Sequence, residues 1–315
     1  MRNFADRLTE RIAACKNPTV MGLDPLIEYV PQHIRDEYDR NFSDKEEATA
    51  EAILAFNCQM IDAVADIIPA IKPQFAYYEK YGLFGLTALK KTISYAKSKG
   101  MIVIADAKRN DIGSTAEAYS GAIIGSTTLI DQSTVRILDA DAITLNAYLG
   151  IDGIKPFLDT AKADGKGMFI LVRTSNPSAG DFQDLITEGG KPLYERVAEK
   201  VSEWGEGLVG ESGYSSVGAV VGATWPEQAK TLRQTMKRAL ILVPGYGAQG
   251  AGADQAAQNF DETGRGAIVN ASRSLMCAYM KRPDLAPTEF KVALIDEAVR
   301  MRDDLNQAIE RIKAE

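Results

Sequence analysis

Met101-Ile-Val-Ile-Ala-Asp-Ala-Lys108 decides how this chain is read, because its character changes along its length. It starts as a near-continuous apolar, β-favouring run and ends in two charges. That is the form of a strand covered on both faces with chemistry at one end. Seven other runs have the same shape: Thr19–Asp24, Ala70–Phe75, Ala142–Ala147, Met168–Ser175, Ser216–Ala223, Ala239–Gly245 and Gly266–Ser272. Segments of helical periodicity separate them. Ser43-Asp44-Lys45-Glu46 fits a capping box ahead of a helix reaching about Ile67. Phe84–Lys99 stops at Gly100, a suitable residue just past a helix end. Pro192–Trp204 and Lys291–Ile312 also carry apolar residues at helical spacing. Eight strands with helical crossovers predict an α/β fold, a closed (β/α)8 TIM barrel, over a doubly wound sheet. No repeat, linker or low-complexity tract interrupts the pattern, so residues 1–315 read as a single domain.

The 315 residues are 45% hydrophobic and 25% charged, an ordinary globular composition able to bury a large core. A net charge of −7 argues against a general binder of nucleic acid or of acidic membranes. A small phosphorylated ligand remains compatible, since a few local cations and backbone N–H groups suffice for it. Cys15, Cys58 and Cys277 are scattered, without metal-ligand spacing, and read as buried reduced thiols of a cytoplasmic protein. The N-terminal MRNFADRLTERIAACKNP reads as an amphipathic helix and not as a signal peptide. No apolar run approaches the ~18 residues of a membrane span. His33 is the only histidine and follows Pro31 in what reads as a solvent-facing loop, which argues against Ser-His-Asp and histidine-metal chemistry. Trp204 and Trp225 read as packing residues.

In a barrel the working groups gather at the C-terminal strand ends, and here those ends are loaded with polar residues. Asp24, Lys72, Asp106, Lys108, Asn146, Ser175, Thr224, Ser272 and Arg273 lie in, at or near the ends of successive predicted strands. Asp106 and Lys108, two apart on a strand, are expected to face the same side of the barrel mouth. Asp111 follows on the loop, and Lys72 on the neighbouring strand completes an array of alternating sign. Opposite unit charges ~4 Å apart attract by about 4 kcal/mol at an effective dielectric near 20. Buried ions need such attraction, because isolated burial is costly. Gly245-Tyr246-Gly247-Ala248-Gln249-Gly250 matches G-x-G-x-x-G, but it comes late in the chain. It suits a phosphate loop after the seventh barrel strand better than a dinucleotide fingerprint.

Asp106, Lys108 and Asp111 form a D-x-K-x-x-D signature. It stands in order with GLDP at Asp24, IKPQFAYYE around Lys72, LVRTSNPS at Ser175, VPGYGAQG at Gln249 and NASRSL at Arg273. On these motifs the chain resembles the longer bacterial-type branch of the orotidine 5′-phosphate decarboxylases, from Met21 to about Tyr279. The resemblance implies decarboxylation of that nucleotide to uridine 5′-phosphate, in de novo pyrimidine biosynthesis, without metal or organic cofactor. It implies that Asp24 binds ribose hydroxyls and that Lys72 bridges the ribose and Asp106. Asp106 would sit beside the scissile carboxylate, with Lys108 delivering a proton to C6 of the pyrimidine. Asp111 and Thr115 would reach the site of the neighbouring subunit, which implies a homodimer with shared active sites. Ser175 would read the pyrimidine edge, and Gln249 and Arg273 would hold the 5′-phosphate. Ser272 stands where many relatives have Gly, which bears on how closely phosphate approaches there. The segments Asn176–Leu185 and Tyr246–Gly264, rich in Gly, Ala and small polar residues, are candidate lids. Magnesium-dependent phosphosugar enzymes share the D-x-K-x-x-D signature, but their second-strand site is acidic where Lys72 stands here. A non-catalytic nucleotide-binding barrel is the other alternative, and it leaves the complete set of charged residues without a task.

Overall fold

Eight parallel strands form where the apolar runs predict them, and they close on themselves in the computed structural model, which describes residues 1–247 and 250–314. They are β1 (Thr19–Leu23), β2 (Ala70–Pro73), β3 (Ile102–Arg109) and β4 (Ala142–Leu145), then β5 (Gly167–Arg173), β6 (Ser215–Val221), β7 (Ala239–Val243) and β8 (Ala267–Ala271). Each strand pairs with its sequence neighbours, and β1 pairs with β8 to close the ring, giving a single-domain (β/α)8 barrel. Most predicted runs extend past the ladder at their C-terminal ends, as at Asp24, Gln74-Phe75 and Thr174-Ser175. There the chain leaves the sheet to build the mouth.

The two-residue period of a strand sorts the side chains into two cores. Val20, Ala70, Ile102, Ile104, Ala142, Phe169, Leu240, Leu242 and Ile268 share one buried cluster inside the barrel. Their alternates, including Met21, Ile71, Val103, Ile143 and Ile170, belong to a second cluster against the surrounding helices. The helix Phe4–Cys15 closes the floor by sending Phe4, Ala5 and Leu8 into the inner cluster. Phe4 meets Phe169 edge-on at 5.9 Å, and burying such a ring contributes about 1.5–3 kcal/mol. Gly167 is required beneath it, because a Cβ there would lie 2.1 Å from Phe4 Cδ1.

Several local expectations are corrected. The helix after the first crossover spans Lys45–Val64, and its N-cap is Asp44 rather than Ser43. Asp44 accepts from the backbone N–H groups of Glu46 and Glu47, and Asp and Ser cap about equally well. His33 lies in the first turn of the helix Gln32–Asn41, partly buried 6.4 Å from the ring of Phe290. Cys58 is only partly buried, although Cys15 and Cys277 are buried and all three are free thiols. A small hairpin pairs Thr127–Thr128 with Thr134–Val135 in the crossover from β3 to β4. Among the described residues no helix is long and apolar enough to cross a membrane.

Candidate active site

One step further along the inward register, the apolar layer gives way to polar side chains on one half of the mouth. Lys72 follows Ala70, Asp106 follows Ile104, and Thr144 follows Ala142. Across from them the same level stays apolar, with Leu171, Val220 and Leu242. The two halves enclose a cavity of about 790 Å³, which Asp24, Ser175, Ser272 and Arg273 also line.

Asp106 is the hub of the polar half. Lys72 Nζ donates to its Oδ2 at 2.5 Å and Lys108 Nζ to its Oδ1 at 2.6 Å. Gln74 Nε2 adds a bond to Oδ2 at 3.1 Å, and Thr144 Oγ1 donates to Oδ1 at 2.9 Å. Burial opposes the charge on Asp106, but the two ammonium groups outweigh it and hold the carboxyl far below the ordinary range. Burial likewise opposes the charge on Lys72, whose ammonium is nonetheless held above the ordinary lysine range by Asp106 and Asp24. Lys108 differs from both: 46% of its side chain is exposed toward the cavity and solvent.

Lys108 reaches Asp106 by a route that simple strand alternation misses. Its φ is +47°, in the left-handed region, and the ladder with β4 shifts register between Ala105 and Arg109. Its backbone N–H turns to Thr144 Oγ1 at 3.0 Å. A left-handed non-glycine residue costs about 1–3 kcal/mol and persists only where the surroundings over-determine it. Here Thr144 ties the strained backbone and Asp106 to each other.

The other expected residues divide into three groups. Asp24, Ser175, Ser272 and Arg273 join the lysine–aspartate array around one cavity. Asp24 Oδ1 is buried with no hydrogen-bond partner among the described residues, so an acceptor stands ready there. Arg273 opens the short helix Arg273–Met276 after β8 and forms no ion pair with any described carboxylate. Asp111 and Thr115 do not line the cavity of their own chain: Thr115 is exposed, and Asp111 Oδ1 accepts from the Ile112 N–H at 2.8 Å. Gln249 lies outside the described residues. Asn146 and Thr224, polar residues at strand ends, do not line the cavity either.

Some residues of the site were not anticipated. Thr144 and Asn270 stand two positions after inward-facing Ala142 and Ile268, so strand periodicity carried a signal for both. Gln74, two residues after Lys72 in the same predicted run, carried that signal too, whereas Tyr29 and Tyr77 sit in the short helices Ile27–Tyr29 and Ala76–Glu79, where strand periodicity says nothing. Among the described residues no group of three His, Cys, Asp or Glu side chains is placed to hold a metal ion.

A closed parallel barrel with a buried cation–carboxylate chain and an unpaired arginine at its C-terminal mouth defines a class: enzymes that handle phosphorylated metabolites. Comparison with known proteins narrows the class. The profile of the orotidine 5′-phosphate decarboxylase / HUMPS family matches residues 43–284. An orotidine 5′-phosphate decarboxylase of Caldicellulosiruptor saccharolyticus is 42% identical over 310 residues, covering 98% of this chain and 100% of its own. The enzyme of the same description from Rhodopirellula baltica is 42% identical over 293 residues, covering 93% and 92% of the two chains. A crystal structure of a proposed orotidine-monophosphate decarboxylase from Toxoplasma gondii superposes with a TM-score of 0.80 at 29% identity, over 99% and 98% of the chains. The Leishmania donovani OMP decarboxylase gives 0.71 at 27% identity, over 98% and 99%. The chain therefore belongs to the orotidine 5′-phosphate decarboxylases, carboxy-lyases of pyrimidine biosynthesis.

Proposed function

We propose that the chain decarboxylates orotidine 5′-phosphate without metal or organic cofactor, using Lys72, Asp106 and Lys108 together with Asp111 of the partner subunit. The observation that carries this reading is the chain of contacts Lys72–Asp106–Lys108, at 2.5 and 2.6 Å, on the floor of the cavity. Breaking the bond from C6 to the carboxylate leaves an electron pair on a carbon with no carbonyl placed to delocalise it. A fixed ammonium beside that carbon stabilises the pair as it forms. Lys108 then transfers a proton from Nζ to C6, the pair becomes the new C–H bond, and the neutral amine is reprotonated from solvent through its exposed side. Asp106 orients Lys108 through the bond from Nζ to Oδ1. The same carboxylate repels the substrate carboxylate in the ground state.

Binding roles follow from place. The unpartnered Asp24 Oδ1 and Lys72 accept from and donate to ribose hydroxyls, while Ser175, on the loop after β5, meets the pyrimidine edge. Arg273, Gln249 and the backbone at Ser272 take the 5′-phosphate, as barrels do after strands seven and eight. Two features support a homodimer with shared sites. Asp111 finds no place in its own cavity, and Ile112, Tyr148, Leu149 and Ile151 are exposed on the loops after β3 and β4. Those loops adjoin, since a Cβ on Gly153 would lie 3.1 Å from the Asp111 carbonyl oxygen. Exposed apolar residues gathered in this way mark a contact surface. The three free thiols accord with a reducing, cytoplasmic setting.

The chemistry is tested by treating purified protein with EDTA and following the ultraviolet absorbance of orotidine 5′-phosphate. Decay at the untreated rate is expected, and collapse of the rate would overturn the metal-free mechanism. The shared site is tested by mixing Lys72→Ala and Asp111→Ala proteins, each inactive alone. Subunit exchange should restore up to about a quarter of native activity, because one of the two sites in a hybrid is intact. Mixtures as dead as their parents, with exchange verified, would refute it.

A further inference from the structure

Arg173 is a fully buried cation that the decarboxylation chemistry does not use, with only 1% of its surface exposed. It ends β5, two residues before Ser175, and its guanidinium lies between two aromatic rings. Trp225 is 4.0 Å away on one side and Tyr194 is 5.1 Å away. Among the described residues its ion pair is with Asp184, with Nη1 2.8 Å from Oδ1 and Nη2 donating to Oδ2 at 3.3 Å. Asp184 belongs to the segment that leaves the strand at Thr174 and passes over the cavity through Asn176, Ser178 and Phe182. The large apolar side chains at the far end of that segment lie mostly in solvent. Phe182, Leu185 and Ile186 are 66%, 54% and 68% exposed.

Three further contacts converge on the same joint. Thr174 N–H donates to Gln183 Oε1 at 3.0 Å, and Gln183 Nε2 donates to Thr174 Oγ1 at 2.7 Å. Trp225 Nε1 donates to the Thr174 carbonyl at 2.9 Å, so the ring stacked on Arg173 is itself fixed to the residue before Ser175. Gly180 leaves room for the carboxylate, since a Cβ there would stand 2.7 Å from Asp184 Oδ2. Buried ion pairs are often matched or bettered in stability by apolar residues of similar size. A cation at this point is therefore better explained by what it holds than by the stability it adds. It can also grip and release a carboxylate that is half exposed.

We infer that Arg173 is a positioning residue: through Asp184 it holds the segment 174–185, and with it Ser175, in register over the substrate cavity. The inference rests on the decarboxylase reading. It assigns Trp225 a task beyond packing, that of presenting the guanidinium.

The test compares Asp184→Asn, Arg173→Met and the double variant with native protein, using orotidine 5′-phosphate turnover, thermal melting and chymotrypsin nicking at Phe182. Asp184→Asn keeps an oxygen that can accept from the guanidinium, so it is expected to fold, with a melting temperature only a few degrees below native. It should lose roughly tenfold in kcat/KM and be nicked several-fold faster, and Arg173→Met should lose up to about a hundredfold, the scale of a 1 Å misplacement. The double variant should be no worse than Arg173→Met, because the two side chains act as one contact. Native kcat/KM in Asp184→Asn, or losses that multiply in the double variant, would overturn the inference. Absence of turnover by the native protein would instead count against the decarboxylase reading.

Discussion

Both ends of this barrel hold buried clusters of lysine and aspartate, yet only one end is built as a reactive site. At the floor, Asp139 faces Lys97, Lys166 (2.6 Å) and Arg136 (3.4 Å), and Asp141 pairs with Arg7 at 2.6 Å. These groups also bond locally to backbone: Lys166 to the Ala140 carbonyl at 2.8 Å and Asp141 to the Val103 N–H at 2.9 Å. Each cluster even contains a non-glycine residue in the left-handed region, Asp139 at φ +56° and Lys108 at φ +47°. At the mouth, Asp106 is saturated by neighbouring side chains, while Lys108 faces an open cavity and Asp24 Oδ1 lacks a partner among the described residues. The difference teaches that buried charge marks function only where its valences are left unspent. A closed network fastens parts of a fold together. An open one waits for a ligand.

The sharpest separation should come from removing one charge at each end. Lys108→Ala should lower turnover at least roughly a thousandfold, within the range for loss of a general acid. Its stability should fall by about 1.5–3 kcal/mol at most, because the buried Asp106 keeps Lys72, Gln74 and Thr144 as partners. Asp139→Ala should act on stability alone. It strands Lys166, whose side chain is only 5% exposed, and should cost about 3 kcal/mol of stability. The low end of the buried-pair range applies because Asp139 is itself a third exposed. Turnover of the folded fraction should stay native. Denaturant titrations beside turnover assays measure both, and a floor variant that loses turnover while staying folded would erase the distinction.

How much of this was legible in the sequence follows the same division. The strands were readable because both-sided burial writes continuous apolar runs, and the mouth because charges interrupt those runs at one end. Lys72, Asp106 and Lys108 were thus expected together, and they are. The floor cluster was not foreseen, because Lys97, Asp139 and Lys166 come from a helix end and two loops whose meeting only tertiary closure decides. Arg173 was visible but silent, since a lone arginine at a strand end does not announce that Trp225 and Tyr194 will enclose it. Asp111 and Thr115 could be read only through resemblance, because the role proposed for them needs a second chain.

Alkaline titration should set the two ends against each other with opposite sign. Lys72 has its folded pKa raised, so its contribution is fully present below the unfolded lysine value of about 10.4 and is lost as pH climbs through the folded value. For Lys166, burial outweighs Asp139 and, with Lys97 nearby, holds the ammonium below the ordinary range. Between its folded value and about 10.4 the unfolded state binds more protons, so this lysine adds stability as pH rises. Relative to native protein, Lys166→Met should lose stability more steeply with rising pH, and Lys72→Met less steeply. Denaturation midpoints decide it when measured on both sides of about 10.4, below it for Lys166 and above it for Lys72. Parallel curves for the two variants would mean that both lysines sit in equivalent settings.

The smallest effect sharpens the comparison at the level of a single methyl group. Gly167 at the floor and Gly22 at the mouth each face a neighbour that an added Cβ would strike, Phe4 Cδ1 at 2.1 Å and Ser272 Oγ at 2.0 Å. Phe4 is locked in the inner core, so Gly167→Ala should lose about 1–3 kcal/mol of stability through overpacking. Ser272 belongs to the mouth and, among the described residues, its hydroxyl is held by Asn270 alone at 3.3 Å, so Gly22→Ala should push it aside with little cost in stability. The backbone N–H at position 272 would move with it, raising KM for the phosphorylated substrate a few-fold. Ser272→Gly alone keeps that N–H and should be nearly neutral. Combining Gly22→Ala with Ser272→Gly removes both atoms nearest the new methyl and should restore KM. If KM stays raised in the double variant while the melting temperature is native, Gly22 is held by something other than Ser272, and the loose packing ascribed to the mouth is wrong at that point.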